Sequence, residues 1–217
     1  MAKRRSGRDK MKKVPNLENP KGLFDWFTKE VVNSDEVYYG NIGNDVNPSE
    51  VLATSLVKVK SFELAKRRNL GIEFEHRVDG RKYVDVVFRD KKGKILLAIE
   101  SESSPGVGTK GDITKNWEEK IRPSLQKLGS FEGDILRFGI YYVAESKTKV
   151  GSERNARKLC DKIKKEIGKK PRGEWLLVIG AATSDESWFH GFVFKNGGWY
   201  TLPPKKLPEK NSMLIKW

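Results

Sequence analysis

Apolar residues recur at helical spacing in the first third of the chain. A stripe after Pro20 predicts a short helix, and its members are Leu23, Phe24, Phe27 and Val31. Asn47 stands three residues before Glu50, which is the pattern of a helix start capped by side chains. We therefore expect a second helix that begins there and ends near Gly71.

After Gly71 the pattern changes to that of β-strands. The three strand-like runs are Ile72–Val78, Lys82–Asp90 and Lys94–Ser103. Short polar turns separate them, one at Asp79-Gly80 and one over residues 90–93, so the runs are expected to form an antiparallel meander.

Helices and strands alternate in the second half. Apolar residues at spacing four predict a helix in which Pro123 causes a kink or a restart; they are Ile113, Trp117, Ile121 and Leu125. An apolar strand over 135–144, an amphipathic helix over 153–168, a second apolar strand over 175–183 and a hairpin around 196–198 follow. This order predicts an α/β fold with a central mixed β-sheet flanked by helices.

Charge adds a partner class to this picture. The 217 residues include 43 Lys and Arg against 29 Asp and Glu, which gives a formal net charge of +14 and favours binding to a polyanion. Residues 1–15 are predicted to be a flexible basic arm, and residues 16–217 a single domain. Arg4 and Arg5 in the arm are candidates for nucleic-acid contacts, although a solubilising tail explains the arm equally well.

Several classes of protein do not fit the composition. One cysteine forms neither an intramolecular disulfide nor a Cys-based zinc site, and Cys160 lies on the predicted inner face of its helix, as a small core residue would. His76 and His190 match no zinc-ligand spacing, and His76 is expected to share an inward strand face with Phe74 and Val78. No apolar stretch is long enough to cross a bilayer. A reduced cytoplasmic protein without a membrane partner is therefore expected.

Carboxylates stand where a core strand should be apolar. Asp85 interrupts the second strand, and Glu100 and Glu102 share one face at the end of the third. A turn centred on residues 91–92 would place Asp85 opposite Ala98, diagonal to Glu100. Crowded carboxylates repel one another, whereas Mg²⁺ binds carboxylate oxygens, retains waters and engages phosphates. A pairing of Asp85 with Arg77 and a frayed strand end at Glu100 and Glu102 are the structural alternatives.

At these residues the sequence resembles the PD-(D/E)xK nuclease superfamily over about residues 50–145. Asp85 and Glu100 stand as in its motif, and Glu102 replaces the usual lysine, as in restriction endonucleases of the BamHI type. The resemblance implies a restriction-endonuclease-like core in which Asp85, Glu100 and the carbonyl of Ser101 ligate Mg²⁺, with Mn²⁺ as a substitute. Glu102 would then be a ligand or the general base, and Glu63 in the preceding helix an accessory acid.

The leading hypothesis is a Mg²⁺-dependent endonuclease that hydrolyses DNA by a metal-activated water. Three lysines after the third strand, Lys110, Lys115 and Lys120, are candidate phosphate contacts or solvated surface residues, and Lys115 is a candidate for the missing motif lysine. A homodimer is expected if two-fold symmetric sites are cut. The rivals are a non-catalytic nucleic-acid-binding protein on the same scaffold and an RNA-directed nuclease.

Overall fold

The computed structural model describes residues 16–17, 19–32, 55–102, 117–142, 149–168, 171–182 and 187–206. The helices are α1 (Pro20–Trp26), α2 (Val57–Arg68), α3 (Arg122–Gly129) and α4 (Lys149–Ile167). The strands are β1 (Gly71–Asp79), β2 (Lys82–Arg89), β3 (Ile95–Glu102), β4 (Leu136–Tyr142), β5 (Glu174–Ala182), β6 (Ser187–Lys195) and β7 (Gly198–Lys206).

The seven strands form one mixed sheet in the order of the sequence. The pairs β3–β4 and β4–β5 are parallel, and the other four pairs are antiparallel. Antiparallel neighbours need only short turns, whereas each parallel step needs a crossover, and α3 and α4 lie in the two crossovers. The predicted α/β class with a mixed sheet flanked by helices is confirmed.

Local sequence accounts for the ends of several helices. The Oδ1 atom of Asn19 accepts hydrogen bonds from the backbone N–H groups of Lys21 and Gly22, at 3.1 and 3.4 Å, and caps α1. Asn69 ends α2 in a left-handed conformation with φ 53°. Pro123 lies in the first turn of α3, directly after a π-helical turn over Trp117–Ile121. The helix changes from π-helical to α-helical geometry beside Pro123, the position at which a kink or a restart was predicted.

Two apolar layers enclose the sheet. On one face, α1 and α2 cover a cluster that includes Phe27, Leu64 and Phe138. On the other face, α3 and α4 cover a cluster that includes Leu125 and Cys160. Cys160 is buried, as predicted, and burial raises the pKa of its thiol to about 12. None of the described helices combines the length and the apolar character that crossing a membrane requires.

The β2–β3 turn sets a register that differs from the predicted one. Asp90 Oδ1 accepts from the backbone N–H groups of Lys92 and Lys94, and Gly93 has φ 83°. The turn thereby uses five residues, with a shift in pairing next to Arg89. Ala98 lies opposite Val87, so the predicted pairing of Asp85 with Ala98 was wrong. With the register observed, Asp85 is at the level of Glu100.

Candidate active site

The candidate site lies where β2 and β3 stop pairing. Their ladder ends at the pair Val86–Ile99, although β3 continues to pair with β4 as far as Glu102 and Tyr141. Beyond the last β2–β3 pair, the backbone N–H of Ser101 donates to Asp85 Oδ2 at 2.9 Å. A side-chain carboxylate thus takes the place of a strand carbonyl, and the two strands separate at the acidic residues.

A positive backbone angle in β1 accompanies a reversal of side-chain direction in β2 at this point. Glu75 has φ 51°, which is a strained conformation for a residue other than glycine. On either side of it, Phe74 pairs with Val86 and His76 pairs with Val84. Val86 packs in the cluster under α1 and α2, whereas Val84 packs in the cluster under α3 and α4. Side-chain alternation is therefore reversed at Glu75 and Asp85.

This reversal corrects the prediction for His76. Phe74 lies on the opposite face of the sheet, with 39% of its surface exposed, so the predicted shared face of His76 and Phe74 was wrong. The His76 ring stacks on Phe131 at 5.8 Å between centroids, and its Nδ1 atom lies 2.7 Å from Glu73 Oε1. The pattern of strand residues cannot reveal a reversal caused by one positive φ.

Glu100 is fully buried and faces α3. Its Oε1 atom forms an ion pair with Lys127 Nζ at 2.5 Å. Its Oε2 atom is also buried and has no hydrogen-bond partner among the described residues. Glu100 pairs with Gly139 of β4, so it belongs to a continuous parallel ladder and is not a frayed strand end.

Burial makes ionisation of this cluster costly. It raises the pKa of Asp85, although the hydrogen bond from the Ser101 backbone opposes the shift. The pKa of Glu100 is raised well above its ordinary value, first by burial and then by the charge of Asp85. Lys127 opposes that shift without cancelling it. Among the described residues, Lys127 acts on both acids and Lys58 acts on Asp85, and burial still outweighs these charges.

Glu102 is the third acid of the cluster. Burial raises its pKa to about 7, while the positive charges of Lys127 and Lys120 act in the opposite direction. Burial of Lys127 lowers the pKa of its ammonium group, but the charges of the three acids outweigh that effect and raise it overall. Lys127 therefore remains a cation, and Glu102 titrates close to neutral pH.

A hydroxyl pair fixes the distance between α3 and the sheet beside the acids. The hydroxyl oxygens of Ser124 on α3 and Tyr141 on β4 lie 3.0 Å apart, and both side chains are buried. A Cβ atom at Gly139 would lie only 2.6 Å from the Tyr141 ring. Glycine is therefore required at the position that pairs with Glu100, because a side chain there would displace Tyr141.

The structure brings together some of the predicted residues. Asp85, Glu100 and Ser101 are adjacent, and Glu102 and Lys120 are close enough to interact electrostatically. Glu63 is 47% exposed and forms an ion pair with Lys60 at 3.2 Å. Arg77 donates to the carbonyl of Gly80 and does not neutralise Asp85. Four predicted nucleic-acid contacts lie outside the described residues: Arg4, Arg5, Lys110 and Lys115.

Lys127 is the site residue that the sequence pattern did not single out. It lies on α3 between the buried residues Ser124 and Leu128, at the margin of the inward face. The helical phase of Ile121, Leu125 and Leu128 contains this information, because it places Lys127 beside the core. That phase does not show which strand the Lys127 side chain reaches.

The acids of the site offer a small set of ligands for a divalent cation. Among the described residues, no group of three or more His, Cys, Asp and Glu side chains is arranged to hold a metal ion. A smaller set does fit: the adjacent carboxylates of Asp85 and Glu100, with the partnerless oxygen Oε2 of Glu100 buried between the strand ends. Oxygen donors of this kind suit Mg²⁺, which uses few protein ligands and keeps several waters.

Comparison with known proteins adds no relative. No family model matches the chain, and neither a curated protein nor a solved structure matches it.

Proposed function

We propose that the protein is a Mg²⁺-dependent nuclease that hydrolyses DNA phosphodiester bonds, on a restriction-endonuclease-like core of the PD-(D/E)xK superfamily. One observation carries the proposal: Asp85, Glu100 and Glu102 converge where two strands separate, and Lys127 forms an ion pair with Glu100 beside them. A fold gains nothing from three poorly neutralised acids, whereas a divalent cation and a phosphate require such a place.

The roles of the residues follow from their surroundings. Asp85, Glu100 and the carbonyl of Ser101 would hold the ion, with Mn²⁺ as a substitute for Mg²⁺. When bound, the ion would make a coordinated water more acidic and offset charge on the phosphate. Ser101 N–H holds the Asp85 carboxylate in place through its 2.9 Å hydrogen bond.

Proton transfer is assigned to Glu102. A general base is most effective when its pKa lies near the working pH, and the pKa of Glu102 is about 7. Its carboxylate would accept the proton of the attacking water. Lys127 stabilises negative charge beside Glu100 and supplies from α3 the cation that the superfamily motif usually supplies from the strand.

A cleavage assay with matched variants tests the proposal. Purified protein is incubated with duplex DNA and Mg²⁺, Mn²⁺ or EDTA, and with RNA in a parallel arm. We expect cleavage with Mg²⁺ or Mn²⁺ and none with EDTA. The cleavage rate should fall at least about 100-fold in Asp85→Asn and Glu100→Gln, because substitutions of residues that only support metal ligands already cost 10- to 100-fold. Glu118→Gln is the control, since Glu118 is exposed and pairs with Arg122.

Two results would overturn the proposal. The first is equal cleavage by Asp85→Asn, Glu100→Gln and the Glu118→Gln control. The second is the absence of any cleavage by the wild-type protein with either cation. Cleavage of RNA alone would change the substrate and leave the site assignment intact.

A non-catalytic nucleic-acid-binding protein is the second candidate. The contact between Lys127 Nζ and Glu100 Oε1 favours it, because an ion pair already satisfies one carboxylate oxygen. This candidate predicts DNA binding that does not require Mg²⁺ and yields no cleaved product. Titration of Mg²⁺ while unfolding is followed separates the two: at ten times its dissociation constant, a bound ion stabilises the native state by about 1.4 kcal/mol.

A further inference from the structure

The outward side of α4 carries cations without acidic partners. Arg154, Arg157 and Lys158 are exposed, and none of them forms an ion pair with a described residue. The acids farther along the helix are engaged elsewhere: Asp161 with Lys164, at 3.5 Å, and Glu166 with Arg122, at 2.7 Å. The N-terminal half of α4 contains one acid, Glu153, against Lys149 and these three cations, so it presents a local excess of positive charge.

Topology places this half of the helix at the end of the sheet that contains the acids. Strand β4 runs parallel to β3, and its last residues pair with the segment that ends at Glu102. Helix α4 follows β4, so α4 begins at the same end of the sheet. In open α/β sheets, ligands bind outside the carboxyl ends of the strands.

Two contacts fix the level of α4 relative to α3. Lys162 Nζ lies 4.2 Å from the centroid of the Trp117 ring, and Arg122 pairs with Glu166 one turn farther along. Arg154 and Lys158 therefore extend past Trp117 by one to two helical turns, or about 6–12 Å at 1.5 Å per residue. The N-terminal half of α4 thus extends beyond Trp117 at the end of the sheet where β3 ends at Glu102.

A nucleic-acid backbone is the partner that fits this surface. The three cations are long, exposed and unpaired, and a row of phosphates offers them a charge every 3.4 Å or so along one strand. Lys162, one turn after Lys158, lies against the Trp117 ring, and Lys120 is close enough to Glu102 to interact with it electrostatically. An acidic peptide would also be attracted, but the adjacent hydrolytic site proposed above favours the phosphodiester.

We propose that Arg154, Arg157 and Lys158 form the surface that holds the DNA backbone in front of the site; this inference rests on the proposed function. The three side chains contact phosphates and contribute to affinity without selecting a sequence. Each released counterion makes binding more sensitive to salt.

Equilibrium binding in EDTA tests the surface separately from catalysis. A fluorescent DNA duplex of about 30 base pairs is titrated with protein between about 50 and 200 mM salt. The test variant is Arg154→Gln/Arg157→Gln/Lys158→Gln. The control, Lys91→Gln/Lys92→Gln/Lys94→Gln, removes the same charge from exposed residues in the turn at the opposite end of β3. Arg154→Lys/Arg157→Lys/Lys158→Arg keeps the charge and shows whether substitution by itself perturbs binding.

The α4 variant should lower the slope of log affinity against log salt by about 2–3, since each phosphate contact contributes about 0.9. The turn control and the charge-preserving variant should retain the wild-type slope. Equal losses in the α4 variant and the turn control would overturn the proposal, because they would show a dependence on net charge alone. Absence of wild-type binding at the lowest salt would also overturn it.

The outcome is independent of the cleavage assay. Binding through α4 without any cleavage would support this surface and refute the proposed nuclease function. Normal cleavage by the α4 variant, together with an unchanged salt slope of binding, would support the nuclease function and refute this surface.

Discussion

Two buried charges on neighbouring strands have opposite environments. Arg137 on β4 pairs with Ala98 of β3, two residues before Glu100, and both charged side chains reach toward α3. The Arg137 guanidinium donates to four backbone carbonyls, at 2.7–3.4 Å, in the segment from α3 to β4: Leu128, Phe131, Gly133 and Ile135. Glu100 has one ion pair and a buried oxygen with no hydrogen bond in the described structure.

The difference separates a charge with a structural role from one that the surrounding fold leaves incompletely compensated. Arg137 joins the end of α3 to the sheet, and Gly173 leaves room for it, since a Cβ there would lie 2.3 Å from the guanidinium. Burial still lowers the pKa of Arg137 to about 10, but hydrogen bonds satisfy most of its donors. Glu100 bears the cost of burial without that compensation, which is typical of groups that await a ligand.

Removal of the structural charge should have the largest effect. Arg137→Met removes the guanidinium that donates to four backbone carbonyls, three of them at buried residues, and we expect the free energy of unfolding to fall by about 3–5 kcal/mol. Urea denaturation measures it. A loss below about 1 kcal/mol would contradict the structural role assigned to Arg137.

The acid cluster should make the protein less stable as pH rises. The folded pKa of Glu102 is about 7, above its ordinary 4.5, so the stability it contributes is full below pH 4.5 and is lost as pH rises toward 7. This shift alone corresponds to about 3 kcal/mol at most. Asp85 and Glu100 act with the same sign. Denaturation at pH 5 and pH 8 measures the loss, and unchanged stability would refute the proposed burial of these acids.

Neutralising Glu100 should stabilise the protein. Glu100→Gln removes the cost of keeping a carboxyl group in a buried position, and we expect a gain of about 1–2 kcal/mol at pH 8. The gain should be smaller at pH 5, where the carboxyl group is protonated more easily. A destabilised Glu100→Gln protein would mean that the ion pair with Lys127 is structural. Glu100 would then have the same kind of role as Arg137.

The exposed candidate acid should matter least. Glu63 pairs with Lys60 at a half-exposed position, so Glu63→Gln should change stability by less than about 0.5 kcal/mol. Cleavage should change no more than it does in Glu118→Gln. A much larger loss of cleavage would instead support the accessory role that the family resemblance implies for Glu63.

The order of elements could be predicted from the sequence, and the contacts across them only in part. Periodicity predicted the meander, both crossover helices and the C-terminal hairpin, because each depends on residues close in the chain. The register of Asp85 depends on Gly93 and Asp90 in the turn, and the reversal at Glu75 depends on one backbone angle. Lys127 reaches Glu100 from a separate element, so its role required the three-dimensional arrangement.

The separation of β2 from β3 also affects how the sheet can deform. The last residues of β3, from Glu100 to Glu102, are attached by backbone bonds to β4 on one side, while on the other side Asp85 supplies a side-chain bond to Ser101. A movement of the β1–β2 hairpin about the ladder between Val86 and Phe88 would break that bond and would also separate the His76 ring from Phe131.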